Sequence, residues 1–431
     1  MKNVLIITYY WPPSGGAGVQ RWLKFAKYLH ESGMQPIVVT VNSEKASYPV
    51  LDTELEKDIS KGIRIFKTNS FEPLKLFNTL FKKEHIPYAG IPDRKNMTLL
   101  GKVSLFMRAN LLIPDARKGW NPYAYRQCCK IIESEKIDCI ITTSPPHSTQ
   151  LIGLELKKKY GIKWLVDLRD PWTDIYYYKK LHHSNWAMKK DKQYEQEVLA
   201  AADIITTTSS HTQKLFSGKL TGKDVSKIKI ITNGYDEDDL KSITGVKEKN
   251  FTITFSGTIN KQFGVSGFLN AMQELIKENK QVNLNIRFVG ITDEFIKNEA
   301  QALLGNSVSF ISYVPHKTAI GYCCSSHLLL LVIPEGENQG TIPGKTFEYM
   351  ATRNPILCLS PANGSASEII LNANAGKSFG HQDVKGIKEF VLSYYKKWEQ
   401  GEKFETNNDN LRSFSRREIT NSLIAILNSE H

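Results

Sequence analysis

The chain has no Cys-x-x-Cys pair. Its six cysteines are Cys128, Cys129, Cys139, Cys323, Cys324 and Cys358, several of them inside apolar runs. That usage argues against a zinc site or a disulfide framework and for reduced, mostly buried thiols in a cytoplasm-like compartment. No apolar run reaches the length of a membrane span. No leader is read at the start, because Lys2 runs straight into the apolar residues 4–7 without a small-residue cleavage site. No Gly-x-Gly-x-x-Gly follows that run, and no acidic residue closes the second strand near Thr40. The dinucleotide fingerprint is therefore missing. A nucleic-acid-binding motif is also missing, and the chain is not basic throughout, so nucleic acid is not expected as a partner.

What is present is a long, ordinary globular composition. A chain of 431 residues is too large for one core, and 41% apolar with 23% charged residues suits a soluble enzyme of two domains. Short apolar runs at 4–7, 37–41, 63–67, 139–143, 164–167 and 203–207 read as buried strands, with helical patterns between them. Val19, Trp22, Leu23, Ala26 and Leu29 mark one such helix. The pattern then repeats, with strands expected at 251–255, 284–289, 308–310, 328–333 and 356–359. Val265, Phe268, Leu269, Met272, Leu275 and Ile276 form a helix face. Alternation of this kind implies parallel sheets with helices on both faces. The expectation is two doubly wound α/β domains, at 1–235 and 236–413, with a last amphipathic helix in 414–431. The polar segment 236–250 would hold the boundary.

The formal net charge is +12. Residues 73–118 contain nine Lys/Arg and three Asp/Glu, so +6 of it lies there. The same stretch carries Leu74, Phe77, Leu80 and Phe81, then Leu99, Leu100, Val103, Phe106, Met107 and the run 111–113. Lys102 and Arg108 interrupt the second group, which excludes a span. A basic amphipathic pair of helices either lies on an anionic membrane or shows its charges to water.

The most informative motif is Glu335-Gly-Glu-Asn-Gln-Gly-Thr-Ile-Pro-Gly-Lys-Thr-Phe-Glu-Tyr-Met-Ala351. It leaves a strand, passes a glycine-bearing loop and enters a helix near Pro343. That geometry offers free backbone N–H groups to an anion. Lys345 adds a charge in the first turn, read as open to solvent, and Glu348 follows one turn later. Amides and lysine suit a phosphate; a carboxylate suits a sugar hydroxyl. Three further loops follow strands. Thr8-Tyr-Tyr-Trp-Pro-Pro-Ser-Gly-Gly-Ala-Gly18 leaves the backbone uncovered at Gly15, Gly16 and Gly18. Thr142-Thr-Ser-Pro-Pro-His-Ser148 places His147 where it can hydrogen-bond a substrate hydroxyl or share developing charge. Asp167-Leu-Arg-Asp-Pro-Trp172 reads with Asp167 and Arg169 free to point into a site. In that loop Asp170, before Pro171, is either a helix cap or a functional carboxylate. Asp236, Asp238 and Asp239 are read as a solvated turn rather than a metal site.

Together these pieces resemble the retaining glycosyltransferases of family 4, of the two-domain GT-B fold. The resemblance covers nearly the whole chain. Pro13-Ser-Gly-Gly16 looks like the family's glycine loop. Thr143-Ser-Pro-Pro-His147 and Asp167-Leu-Arg-Asp-Pro-Trp172 look like a bacterial polysaccharide-assembly branch. Ile231-Thr-Asn-Gly-Tyr-Asp236, Phe255-Ser-Gly-Thr-Ile-Asn-Lys261 and Pro343-Gly-Lys-Thr-Phe-Glu-Tyr-Met-Ala351 follow in the family's order. Three positions depart from the pattern: Gly340 stands where the first glutamate of Glu-x7-Glu belongs, and Thr258 and Phe263 stand where a basic pair is usual.

The resemblance implies two Rossmann-like domains facing a central cleft, the first binding the acceptor and the second the donor, with the last helix packing back on the first. It implies transfer of a sugar from a nucleoside diphosphate to a hydroxyl, with no cofactor and no metal. His147, Lys261, Lys345 and Asp170 become the catalytic candidates. Gly15, Gly16, Gly257, Thr258, Thr341, Gly344 and Glu348 become the donor-binding set, with Glu348 on the nucleotide ribose. The partners implied are a nucleotide-sugar donor, a lipid-linked or other glycan acceptor and an anionic membrane surface. The location implied is the cytoplasm, peripheral on the inner membrane face. A nucleotide-sugar epimerase of the same fold and a non-catalytic sugar-nucleotide-binding protein are the alternative readings.

Overall fold

Every position of residues 4–7 is apolar, and a strand of that composition must be covered on both faces. In the structure, a computed structural model, this segment forms β1 (Asn3–Ile7), inside a seven-stranded sheet. The structure describes residues 1–72, 99–175, 178–220, 224–241, 246–279, 282–336, 339–361, 363–403, 405–406 and 410–429. The expected helix around Leu74, Phe77, Leu80 and Phe81 lies outside these residues, as do five of the nine Lys/Arg of the basic stretch (Lys75, Lys82, Lys83, Arg94 and Lys95).

The chain divides into two units, Met1–Thr232 with Thr420–His431, and Asn233–Ile419. Unit 1 holds β1, β2 (Gln35–Val41), β3 (Arg64–Thr68), β4 (Cys139–Ser144), β5 (Lys163–Leu168), β6 (Ile204–Thr207) and β7 (Ile228–Ile230). All pairs are parallel, in the order β3-β2-β1-β4-β5-β6-β7, with Leu5 level with both Ile37 and Ile140. Its helices are α1 (Ala17–Glu31), α2 (Leu99–Asn110), α3 (Asn121–Ser134), α4 (Ser148–Tyr160), α5 (Asn185–Ala201) and α6 (Ser210–Lys219).

Unit 2 repeats the plan. Its strands are β8 (Phe251–Ser256), β9 (Leu284–Val289), β10 (Val308–Ile311), β11 (Leu328–Val332), β12 (Ile356–Leu359) and β13 (Gly376–Phe379), all parallel, in the order β10-β9-β8-β11-β12-β13. Its helices are the short α7 (Glu237–Lys241), α8 (Ser266–Glu278), α9 (Glu294–Leu304), α10 (His316–Ser325), α11 (Lys345–Ala351), α12 (Ser365–Asn372) and α13 (Val384–Glu399). The period of two places β11 in two cores at once. Leu328, Leu330 and Val332 pack with Phe268, Met272 and Val391. Leu329, Leu331 and Ile333 pack with Phe347, Met350 and Ile370 on the other face. The last helix, α14 (Arg416–Asn428), starts in unit 2 and ends in unit 1. There Lys163 Nζ donates to the carbonyls of Leu427 (3.1 Å) and Ser429 (2.7 Å).

This is the expected α/β doubly wound class in both units. Two edge strands escaped the sequence reading. β7 is Ile-Lys-Ile, and β13 is Gly-Lys-Ser-Phe, so neither carries an apolar run. Among the described residues no helix is long and apolar enough to cross a membrane. Five of the six cysteines are buried and all six are free thiols.

Candidate functional site

In a doubly wound sheet, the loops at the carboxyl ends of the strands open where the strand order reverses. In unit 2 this point lies between β8 and β11. The loop after β8 carries Ser256, Gly257 and Thr258; the loop after β11 leads to α11. Lys345 opens α11 behind Gly344 at the cap position, and the first N–H groups of a helix lack intrahelical partners. The Lys345 side chain is not open to solvent, as its first-turn position suggested. It is half-buried, its Nζ donates to the Ser256 carbonyl at 2.9 Å, and it lies 3.9 Å from the centre of the Phe255 ring. Burial pushes its pKa down to about 8, against the pull of Cys323 and Glu348. Gly257 has φ +126°, and a Cβ there would stand 3.0 Å from the Lys345 Nζ. A side chain at Gly290 (φ +120°) would come within 2.5 Å of the Gly257 carbonyl. This close approach of the two loops requires glycine. Tyr349, fully buried one turn along α11, accepts the Ser256 N–H at 2.7 Å. Both backbone groups of Ser256 are thus held from α11.

Glu348 meets a residue that no motif pointed to. His316, the first residue of α10, donates from Nε2 to Glu348 Oε1 at 3.0 Å. Burial pushes the Glu348 carboxyl up, but the His316 bond and the charges of His316, Arg416 and Lys345 outweigh it and hold it below the usual range. Burial likewise lowers His316, and Glu348 more than reverses it, so the imidazole is raised. A small pocket lies beside the pair, lined by Ser256, Ala319, Ile320, Cys323, Tyr349 and Thr352. Lys261 stands apart from this group: it is exposed, and its Nζ rests 4.5 Å from the centre of the Phe295 ring. Thr341 is half-buried in the loop before α11. Asp236 is buried and accepts the Asp238 N–H at 2.9 Å, which makes it a turn-forming residue of α7.

In unit 1 the strand order reverses between β1 and β4, and the glycine loop and His147 follow those two strands. Asp167 does not point into a site. It is fully buried and accepts bonds from Arg21 Nη2 (3.0 Å), Trp22 Nε1 (2.7 Å), Thr143 Oγ1 (2.8 Å) and Thr206 Oγ1 (2.9 Å). The alternation along β5 turns it toward α1, where the buried Arg21 needs an anion. Arg169 does lie at the loop. Its Nε donates to the Ser144 carbonyl at 3.0 Å, and a Cβ on Gly18 would fall 1.8 Å from its Nη1. Gly18 therefore leaves room for a guanidinium at the start of α1. Gly16 caps α1 with φ +105°, and the Gly15 N–H donates to the Val50 carbonyl at 2.9 Å.

His147 is half-buried, stacked on Trp172, and its Nδ1 has no hydrogen-bond partner among the described residues. Burial, with the charges of Arg169 and Lys219, pushes its pKa down to about 3. The shift favours the neutral ring, which can give or take a hydrogen bond. Asp170 makes no helix cap, since Pro171 occupies the cap position of the turn Trp172–Asp174 and no side-chain bond forms there. Burial raises the Asp170 carboxyl and the Arg169 charge opposes this.

Sequence reading also missed Asp115, which accepts the Ser148 N–H (2.7 Å) and Oγ–H (2.8 Å) at the head of α4. Arg117 beside it bonds Glu72 at 3.3 Å, and Glu72 also accepts from Tyr9 and Ser47. The Pro-Asp-Ala-Arg string at 114–117 was the available signal. Among the described residues, no group of three or more His, Cys, Asp or Glu gathers as a metal site.

Comparison with known proteins fits this picture. Residues 236–411, which fall within unit 2, match the family model described as Glycosyl transferases group 1. No curated protein sequence matches the chain. A glycosyltransferase from Rickettsia africae ESF-5 is similar in structure (TM-score 0.61, 15% identity, covering 99% of this chain and 97% of that one). So is HepE of Anabaena, solved in complex with UDP and glucose (0.59, 14%, 100% and 100%). A putative UDP-N-acetylglucosamine 2-epimerase from Listeria monocytogenes is also similar (0.54, 14%, 99% and 95%). At these identities the likenesses show the fold, which is GT-B.

Proposed function

We propose that the protein is a retaining glycosyltransferase. It moves a sugar from a nucleoside-diphosphate sugar to a hydroxyl of a lipid-linked glycan acceptor in cell-surface polysaccharide synthesis. The observation that carries this reading is Lys345, whose ammonium rests on the Ser256 carbonyl beside Gly257, with the anionic Glu348 one turn further along α11. An ammonium with uncovered backbone amides suits a diphosphate, and a carboxylate suits a ribose. As the bond from the sugar to the diphosphate breaks, negative charge builds on the leaving phosphate. Lys345 and the N–H groups of Thr341, Ile342 and Gly344 offset that charge. Lys261 serves the same phosphate only after leaving Phe295. The acceptor hydroxyl forms the new bond and its proton passes to the departing phosphate, so no glycosidase-type carboxylate pair and no metal are required. In unit 1 by itself, the neutral His147 is the group offered to a sugar hydroxyl, and the Gly15–Gly16 loop is the group offered to a phosphate. Asp170 is the carboxylate available to the acceptor side.

A panel of UDP-, GDP- and ADP-sugars tests this, first by thermal shift and then by nucleotide release. The expected result is stabilisation by one donor and slow release of its nucleotide. Conversion of the donor to an epimer without acceptor would select the epimerase reading. Binding with no turnover would select the non-catalytic one.

A further inference from the structure

The spacing of α11 creates a problem that His316 solves. Lys345 and Glu348 are three residues apart, a separation at which an ammonium and a carboxylate on one helix ordinarily pair. Here they are drawn apart. Lys345 Nζ sits on the Ser256 carbonyl at 2.9 Å, while His316 holds Glu348 Oε1 from another helix at 3.0 Å. If they paired, neither would remain available to a ligand.

We infer that His316 is a positioning residue that keeps Glu348 from closing onto Lys345, so that α11 offers a separate carboxylate and ammonium to one ligand bearing vicinal hydroxyls and a phosphate. The inference rests on the reading of unit 2 as a nucleotide site, and it assigns the ribose hydroxyls to the carboxylate that His316 holds. The charged and titratable groups facing the pair are Lys345 on α11, Cys323 on α10, Asp239 on α7 and Arg416 at the head of α14. Asp239 supports the imidazolium and Arg416 opposes it; Arg416 and Lys345 support the carboxylate. As pH rises through the elevated pKa of His316, the latch loses its charge and weakens.

Calorimetry on the full chain tests this with two probes, pyrophosphate and the nucleoside diphosphates UDP, GDP and ADP with their 2′-deoxy forms. For His316→Ala we expect pyrophosphate to bind about tenfold more weakly, because Glu348 now captures Lys345. Adding Glu348→Ala to that variant should restore pyrophosphate binding, a rescue that mere loss of stability cannot give. The ribonucleotide should remain weak in both variants, and its preference over the 2′-deoxy form should disappear. His316→Gln, which keeps a donor, should stay within about threefold of wild type and retain only the pH dependence that Lys345 also gives to pyrophosphate binding. Unchanged pyrophosphate binding in His316→Ala, or no rescue in the double variant, overturns the inference. A wild type that binds pyrophosphate but no nucleoside diphosphate overturns the nucleotide reading, while the rescue still decides whether His316 separates the two side chains.

Discussion

The Trp172 indole lies flat on the His147 imidazole, with ring centroids 4.8 Å apart and planes 13° apart. Trp172 is itself fixed: its Nε1 donates to Asp191 Oδ1 at 2.8 Å, and Asp191 Oδ2 accepts the Tyr178 hydroxyl at 2.9 Å. The plane of the proposed sugar-contacting ring is therefore set from α5 through an indole. Asp191 is buried, which pushes its carboxyl up to about 6, so at neutral pH it is a charged acceptor for both donors.

Trp172→Phe keeps an aromatic surface but breaks the bond to Asp191. A ring allowed to tilt loses its aim, and we expect kcat to fall roughly ten- to a hundredfold with the donor KM nearly kept. Steady-state kinetics with thermal melts check this. Activity that returns fully on cooling would assign the stack to stability alone.

We expect Lys345 to give the proposed donor reaction a basic limb. Its ammonium is present below its pKa of about 8 and lost above it. kcat/KM for the donor should fall about tenfold per pH unit above that point. The ordinary lysine pKa is about 10.4, so between the two values the unfolded chain holds the extra proton and stability rises with pH. Lys345→Arg stays charged and should abolish the limb. A limb that persists in this variant would locate the titration elsewhere.

Asp167 belongs to the fold of unit 1. Asp167→Ala leaves Arg21 buried without its partner, which costs about 3–5 kcal/mol by analogy with other buried pairs. Urea melts check this, and the double variant Arg21→Met, Asp167→Leu should recover most of the loss. Full stability with lost activity would return Asp167 to the list of functional carboxylates.

The contrast between Asp167 and His316 shows where sequence reading stops. The strands of both sheets were legible because parallel strands buried on both faces are written as continuous apolar runs. β7 and β13 were not, because an edge strand needs no such run. Glycine loops and the strand-to-helix string ending in Ala351 were legible because chain direction alone sets their place at the sheet edge. The direction of a side chain at a strand end was not. Asp167 turns inward because a buried arginine 146 positions earlier requires it. His316 reaches Glu348, and Asp191 reaches Trp172, only after the chain has folded. No periodicity in the sequence records such a pairing.

The final prediction concerns the anionic membrane proposed as a partner. α2 shows Val103 and Phe106 to solvent, with Leu111 just beyond its end, and Lys102 is exposed among them. Asn110 Oδ1 accepts the Ser184 N–H at 2.6 Å, which ties this helix to the head of α5. There Trp186 is exposed, and Lys179, Lys189 and Lys192, close to it in the sequence, are exposed too. Exposed aromatic and apolar side chains together with exposed lysines suit a headgroup layer, where each basic residue contributes about 1 kcal/mol that salt screens. The full chain should therefore sediment with phosphatidylglycerol vesicles at low salt, not with neutral ones, and detach at high salt. Phe106→Ser with Leu111→Ser should weaken attachment at every salt concentration. Lys189→Glu with Lys192→Glu should weaken it mainly at low salt. Neither pair should alter nucleotide binding, because none of these residues lies in α11, in the loop after β8 or in the Gly15–Gly16 loop. If the wild type ignores anionic vesicles even at low salt, these residues are a solvated face and the acceptor is met in solution.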